Sequence, residues 1–221
     1  RMLAALGLKT SSVWLESMRF GDLQRAYEAR TIISLPYGRR AARHVARATG
    51  ARLIETPLPM GLRGTETWLR RIAGELGREA AAESFIKAEL GAIIPRLERA
   101  VAHYLLKLRV GFVGDPHLAE GVADLVSSVN AELSFAILTN RPVHAKAARE
   151  ALPDTTEVLL YPRQGELTDF TPSPSGGRGV LLASSTGDGL LPDWPLVEIG
   201  FPSFHTHRFY DRPYLGFSGA A

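Results

Sequence analysis

The chain has 221 residues, 45% of them apolar, with a mean hydropathy near zero, so it can bury a sizeable core in one large domain or, as expected here, two small ones. Its formal charge of +3, from 26 basic and 23 acidic residues, is too small and too evenly alternated along the helical stretches to argue for nucleic-acid binding, although a local anionic ligand stays open. The absence of cysteine excludes disulfides, thiolate catalysis and any cysteine-held zinc or iron–sulfur site within these residues; no apolar run reaches membrane-spanning length and no signal peptide is visible, so the chain reads as soluble and cytoplasmic, with no membrane partner.

"RMLAALGLKT" opens the chain with Met2, Leu3 and Leu6 at helical spacing and Gly7 where a C-terminal cap belongs, which predicts a helix end and a fragment of a longer polypeptide. "TIISL" (Thr31 to Leu35) is short and β-branched, as a buried parallel strand should be. "GRRAARHVARATG" (Gly38 to Gly50) follows as a helix with Ala41, Ala42, Val45 and Ala48 on one face, and His44 on its basic face reads as solvated. "ARLIET" is the next strand. "PLPMGLRGTETWLRRIAGELG" then gives a Pro/Gly loop and a helix capped by Thr65, with Trp68, Leu69 and Ile72 inward.

A long helical region from about Glu79 to Lys107, broken or kinked at Pro95, reads as a connector. Beyond it come "LRVGFVGD" as strand, "PHLAEGVADLVSSVN" as helix, "AELSFAIL" as strand, "PVHAKAAREAL" as helix and "TEVLLY" as strand. "TPSPSGGRG" is a surface loop by composition, and "VLLASS" and "PLVEIG" are two more strands. This alternation predicts an α/β fold of two Rossmann-like parallel-sheet domains, residues 1–78 and 108–221, joined by a helical connector over 79–107.

Three places carry candidate chemistry. In "VGDPHL" Asp115 suits a helix N-cap and Pro116 its first turn; anion binding there is the alternative, and capping is favoured because no G-x-G-x-x-G pattern accompanies it. The loop around Gly61, Arg63 and Thr65, and "SSTGDG" with Ser185 and Gly187, each follow a strand's carboxyl end, where open parallel sheets bind ligands; an ordinary connection is the other reading of both. In the tail "GFPSFHTHRFYDRPYLGFSGAA", His205 and His207 are two apart and would share a face of an extended segment, able to bind a metal, move protons or hydrogen-bond a cofactor, or to serve as an interface pair held by Asp211. Phe204, Phe209, Tyr210, Tyr214 and Phe217 would each forfeit about 1 to 3 kcal/mol of burial if exposed, so the tail is expected to fold back on the strands' carboxyl ends.

Taken in order, "RMLAALGL", "ISLPYGRRAARHV", "PLPMGLRGTETWLRRIA", "RVGFVGDPHLAEGVADLV", "LLASSTG" and "LVEIGFPSFHTHRFYDRPYLGFSGAA" resemble the component 1 proteins of nitrogenase and their relatives, which include the cofactor-assembly scaffold subunits and the protochlorophyllide and chlorophyllide reductases. "PMGLRGTETWL" is similar to the family's "P-M-G-L-x-x-T-D-x-F-L", and "VEIGFP" to its "R-V-G-F-P" strand. The resemblance implies the middle and C-terminal domains of such a subunit, with the cluster-binding cysteines upstream. Catalytic alpha subunits carry a cofactor-ligating cysteine after the strand matching "TIISLPYG"; Ser34, Leu35 and Pro36 stand here, which argues against a standard alpha subunit. Their second ligand is a histidine before a "P-Y-x-G-[FY]-x-G" segment, matched by "RPYLGFSG", and His205 and His207 bracket the expected offset.

By that resemblance the chain would be a subunit of a nitrogenase-like oxidoreductase active in nitrogen fixation or tetrapyrrole reduction, or of a cofactor-assembly scaffold. It would pair with a homologous subunit and receive electrons from an iron–sulfur ATPase reductase. His205 and His207 would be ligand or proton-donor residues, with His207 the metal-ligand candidate. Arg63 and Arg212 would contact an anionic group of a metal cofactor, and Gly61, Thr65, Ser185, Gly187, Gly216 and Gly219 would line its cavity. The alternative is a non-catalytic two-lobed binder of a small anionic ligand.

Overall fold

A computed structural model of the chain describes residues 1–14, 19, 21–139, 142–172, 179–204 and 214–220. It forms two compact units, Arg1–Pro59 with Glu66–Glu89, and Met60–Thr65 with Leu90–Ala221. Every strand pairing among the described residues is parallel, as the alternation of short apolar runs and helical periods predicts.

In the first unit, helix α1 (Met2–Ala5) ends at Gly7, whose φ of 70° lets Gly7 N–H reach the Ala4 carbonyl and Leu8 N–H the Leu3 carbonyl, at 2.9 and 3.1 Å. A short helix α2 (Asp22–Ala26) precedes strand β1 (Thr31–Ser34), which pairs with β2 (Arg52–Glu55) so that Ser34 lies opposite Glu55. Between them runs α3 (Arg39–Thr49), closed by Gly50 in the left-handed region. Its buried face is Ala42, Val45 and Ala46, whereas Ala41 and Ala48 are exposed. The apolar stripe is therefore rotated from the expected one, because four small alanines leave the helical face ambiguous.

Helix α4 (Leu62–Leu76) begins three residues before the cap expected at Thr65. Trp68, Leu69 and Ile72 are buried as their spacing requires. The Trp68 indole N–H donates to Thr56 Oγ1 at 2.9 Å, and Thr56 N–H donates to the Ser34 carbonyl at 2.9 Å, so one buried threonine ties α4 to the carboxyl ends of both strands.

Helix α5 (Glu79–Ala100) passes through Pro95 without ending, and a π-helical turn follows at Val101–Leu105. Of the break or kink expected at Pro95, the break does not occur. Proline removes one bond to the Gly91 carbonyl, but Gly91 and Pro95 are both exposed, so the loss falls on the solvent side of the helix.

The second unit holds β3 (Arg109–Gly114), α6 (Pro116–Ser128), β4 (Glu132–Leu138), α7 (Pro142–Glu150), β5 (Glu157–Leu160), α8 (Gln164–Thr168), β6 (Gly179–Ala183), β7 (Leu196–Glu198) and α9 (Phe217–Ala220). The sheet order is β5-β4-β3-β6-β7. On one face Val113, Phe135, Ile137, Leu181 and Ala183 form a buried cluster covered by Phe170 and Trp194. Gly111, directly opposite Phe135 in the ladder, makes room for that ring, since a Cβ there would overlap it. Phe135 meets Phe170 edge-on with centroids 5.0 Å apart and Trp194 at 5.6 Å. Among the described residues no helix is long and apolar enough to cross a membrane.

Candidate functional site

The chain leaves β3 toward β4 and β5, then returns through β6 on the other side of β3, so the strand order reverses between β3 and β6. In open parallel sheets ligands bind outside the carboxyl ends at such a reversal. On this edge lie the "GDPH" turn after β3, the "SSTG" turn after β6 and the residues after β7.

The "GDPH" turn is a cap. Asp115 is the N-cap of α6, accepting His117 N–H at 2.8 Å, with Pro116 in the first turn. After β6, Ser185–Gly187 make a single 3₁₀ turn, and Gly187 packs so close to Ala183 that a Cβ would overlap it.

After β7 a buried carboxylate organises the chain. Glu198 is 8% exposed. Its Oε1 accepts from Ser185 Oγ and from Phe204 N–H, the latter at 3.0 Å, and its Oε2 accepts from Ser203 Oγ at 2.8 Å. Phe204 N–H also reaches Ser185 Oγ at 2.5 Å, and Ser185 N–H donates to the Pro202 carbonyl at 3.0 Å. Tyr214 Oη donates to the Glu198 carbonyl at 3.2 Å. The β6 turn, the end of β7 and both described stretches of the tail thus meet at one residue. The convergence of hydroxyl and amide donors compensates the burial of this carboxyl group, whose oxygens accept them.

A second carboxylate shapes the loop before α4. Asp124 on α6 accepts Arg63 N–H at 3.0 Å and Gly64 N–H at 3.3 Å through Oδ2, and Arg63 Nε at 2.7 Å through Oδ1. The helix N-terminus is therefore capped from another helix, while Thr65 Oγ1 turns back to the Gly61 carbonyl at 2.6 Å. Gly61 has a φ of 71°, and a Cβ there would overlap the Asp124 carboxylate.

Charge-tuned groups lie in the first unit. Hydrogen bonding to Arg43 holds Glu55 below the usual carboxylate range, and Arg70 does the same for Glu83. Asp22 is lowered by the Arg19 amide and then by Arg25. Bonds to Glu55 and Glu83 raise Arg43 and Arg70 in turn.

Among the described residues a metal cluster finds no ligand set. The chain has no thiolate, and among the described residues no three His, Asp or Glu side chains gather as ligands. The described residues do not fit an iron–sulfur or mixed-metal group.

Across residues 1–221 the sequence matches the family model described as nitrogenase component 1 type oxidoreductase. The chain belongs to that family. It is 27% identical over 194 residues to the nitrogenase vanadium-iron protein beta chain of Trichormus variabilis, covering 83% of this chain and 41% of that one. It is 23% identical over 207 residues to the nitrogenase iron-iron protein beta chain of Rhodobacter capsulatus, covering 90% and 45%. A 76-residue stretch is 34% identical to subunit N of a light-independent protochlorophyllide reductase from Synechococcus, covering 34% of this chain and 16% of that one. The solved structure described as nitrogenase Cp1 at pH 6.5 superposes with a TM-score of 0.75 at 16% identity, over 99% of this chain and 53% of that chain. This component 1-type chain thus spans less than half the length of the two beta chains.

Of the residues singled out in this component 1-type sequence, Ser185 and Gly187 lie at the β6 turn, and Gly61, Arg63 and Thr65 at the start of α4. Arg63 is paired with Asp124. Gly216 is in the left-handed region, and Gly219 packs against the Tyr214 backbone, where a Cβ would overlap it. His205, His207, Arg212 and Asp211, with Phe209 and Tyr210, lie outside the described residues, as does most of the "TPSPSGGRG" loop. The tail's described part does return to the strand ends, with Phe217 2% exposed, but Phe204 is 73% exposed and corrects the expectation that it is buried. What anchors Phe204 is its backbone amide. Glu198, Ser203 and Asp124 were missed; the available signal was a lone acidic residue inside an apolar run, in "LVEIG" and in "GVADLV".

Proposed function

We propose that this chain serves as the two-unit α/β portion of a nitrogenase-like component 1 subunit, or of the corresponding cofactor-assembly scaffold. It works in an oligomer with a homologous subunit, and an iron–sulfur ATPase reductase delivers the electrons. The observation that carries this reading is the Glu198 clamp. It fixes Ser203 and Phe204, the two residues that lead into His205 and His207, at the carboxyl edge of a parallel sheet. Family membership and the metal-bearing names of the related beta chains support it.

In this reading His205 and His207 act as ligand or proton donor toward a bound cofactor, His207 being the metal-ligand candidate. Arg212, and Arg63 from its pair with Asp124, face an anionic group of that cofactor. The glycines Gly61, Gly187, Gly216 and Gly219, with Thr65 and Ser185, shape the surrounding backbone. Iron–sulfur ligands come from residues outside these 221, since no thiolate is available within them. The assembly functions in the cytoplasm.

The test uses the full-length protein purified anaerobically with its partner subunit and mixed with reduced iron–sulfur ATPase reductase and MgATP. Reductase oxidation that requires this subunit is expected. His205→Ala and His207→Ala are then compared for metal occupancy and turnover separately. Ligand binding without any electron uptake leaves a binding protein and overturns the redox reading; normal occupancy and turnover in both variants removes the histidines from the site.

A further inference from the structure

Helix α3 carries four arginines and a histidine in its 11 residues and no acidic residue. Ala42, Val45 and Ala46 are turned into the core. Arg40, Arg43, His44 and Arg47 all stand exposed on the other side, and at about 100° per residue they share about a third of the helix circumference. Glu55 takes Arg43 as a bidentate pair and lies 4.0 Å from Arg39. Among the described residues no carboxylate pairs with Arg40, His44 or Arg47. We propose that this face is a docking surface for an acidic protein segment, one that presents carboxylates along about 10 Å, the rise of α3 from Arg40 to Arg47.

The stability of the helix does not account for these residues. Arg39 and Arg40 open α3, where the positive end of the macrodipole disfavours cations, and neither an acidic residue nor a side-chain cap offsets them. Arg39, Arg43 and Arg47 also succeed one another at a spacing of four, at which like charges repel. Helix α4 shows the usual remedy within the same unit, Arg70 being paired with Glu66 one turn earlier and with Glu83. A helix that keeps uncompensated cations on its solvent face gives up stability that a partner's carboxylates would restore. A lipid surface does not suit this face, because the apolar side that would enter it is already buried in the core. Nor does a nucleic acid, whose phosphates form an extended array: the basic face is confined to one short helix, in a unit where Arg52 and Arg70 already meet carboxylates. The inference is independent of the proposed redox role.

The probe is a synthetic helical peptide with glutamates along one face, labelled for fluorescence anisotropy and titrated with the full chain at low salt. Binding is expected, and Arg40→Glu/Arg47→Glu should weaken it at least about tenfold. Arg71→Glu/Arg78→Glu makes the same change in net charge at exposed positions outside α3 and should leave the affinity within about twofold. Equal losses in the two double variants would mean that the peptide follows net charge alone, and that result overturns the proposal, as does a lack of binding by the unsubstituted chain. A preference for a DNA duplex or for phosphatidylglycerol vesicles over the peptide at equal salt overturns it as well. Arg40→Glu alone is expected to raise Tm, because a carboxylate then occupies the first turn of α3; a fall in Tm would show that Arg40 serves the fold rather than a partner. If the double variant fails to fold, Arg40→Glu decides the binding test: a weaker complex supports the surface, and unchanged affinity overturns it.

Discussion

The two units differ in the carboxylates that organise them, although the second also has one arginine pair, Arg63 with Asp124. In the first, carboxylates meet arginines at the surface: Arg43 with Glu55, Arg52 with Glu75, and Arg70 with both Glu66 and Glu83. In the second, Glu198 is withdrawn from water and served by two hydroxyls and an amide. Exposed ion pairs contribute little and fade with salt, whereas a buried acceptor is costly to disturb because its donors are then left unpaired. The second unit therefore has a defined geometry at its strand ends, and the first has a surface that tolerates change.

The strongest way to break this contrast is to hollow the second unit's core. Phe135 is fully buried between Gly111, Phe170 and Trp194. Phe135→Ala is expected to cost about 3 to 5 kcal/mol. Calorimetry should show the transition of the second unit falling while that of the first holds; equal movement of both would mean that they unfold as one.

Next in size is the clamp. Glu198→Ala removes the acceptor of Ser185 Oγ and Ser203 Oγ and leaves the Phe204 amide with Ser185 Oγ alone, at about 2 to 3 kcal/mol in total once water enters. Glu198→Gln keeps an acceptor and should cost less. Hydrogen exchange at the Phe204 amide is the direct readout, faster in both variants and fastest in the alanine one. An unchanged rate would show that Ser185 holds that amide alone.

Gly61→Ala probes the second carboxylate. A left-handed φ costs a side chain about 1 to 2 kcal/mol, and the overlap with Asp124 adds to it. Asp124→Ala removes the overlap together with the cap on the Arg63 and Gly64 amides. Chemical denaturation of the double variant should show less than the sum of the two single losses; strict additivity would mean that the methyl never meets the carboxylate.

Most of the fold was legible in the sequence because apolar runs of strand length alternate with helical periods, and because Gly7, Gly50 and Asp115 mark helix ends by mechanisms that act locally. What escaped was long-range. Asp124 lies about sixty positions from the amides it caps, and no pattern around Thr65 announces a donor group arriving from another helix. Glu198 reads as a strand residue until Ser185 and Ser203 are brought beside it. At Pro95 the break was not realised, because the lost bond falls between two exposed residues, Gly91 and Pro95, on the solvent side of a helix held elsewhere.

The smallest effect is expected where the first unit's charges pair in water. Arg43 Nε and Nη2 reach the two Glu55 oxygens at 2.5 and 2.8 Å, and that hydrogen bonding is the chief reason the Glu55 carboxyl titrates below its ordinary range. A folded-state pKa below the unfolded value makes a contribution that is complete above the unfolded pKa, about 4.3, and is lost as pH falls through the folded one. Arg43→Ala should move Glu55 titration back upward, followed by NMR of its side-chain carbonyl, and so narrow the acid range in which this unit gains from the pair. Arg39, 4.0 Å from the same carboxylate, keeps a residual share. Side-chain exposures of 57% for Arg43 and 26% for Glu55 leave the pair open to screening, so molar salt should reproduce much of the variant's shift in the unsubstituted chain. Glu83, held by Arg70, should not move in Arg43→Ala, because its partner is a different arginine. If Glu55 titrates unchanged in Arg43→Ala, the pair is a contact without consequence, and the lowering must come from Arg39.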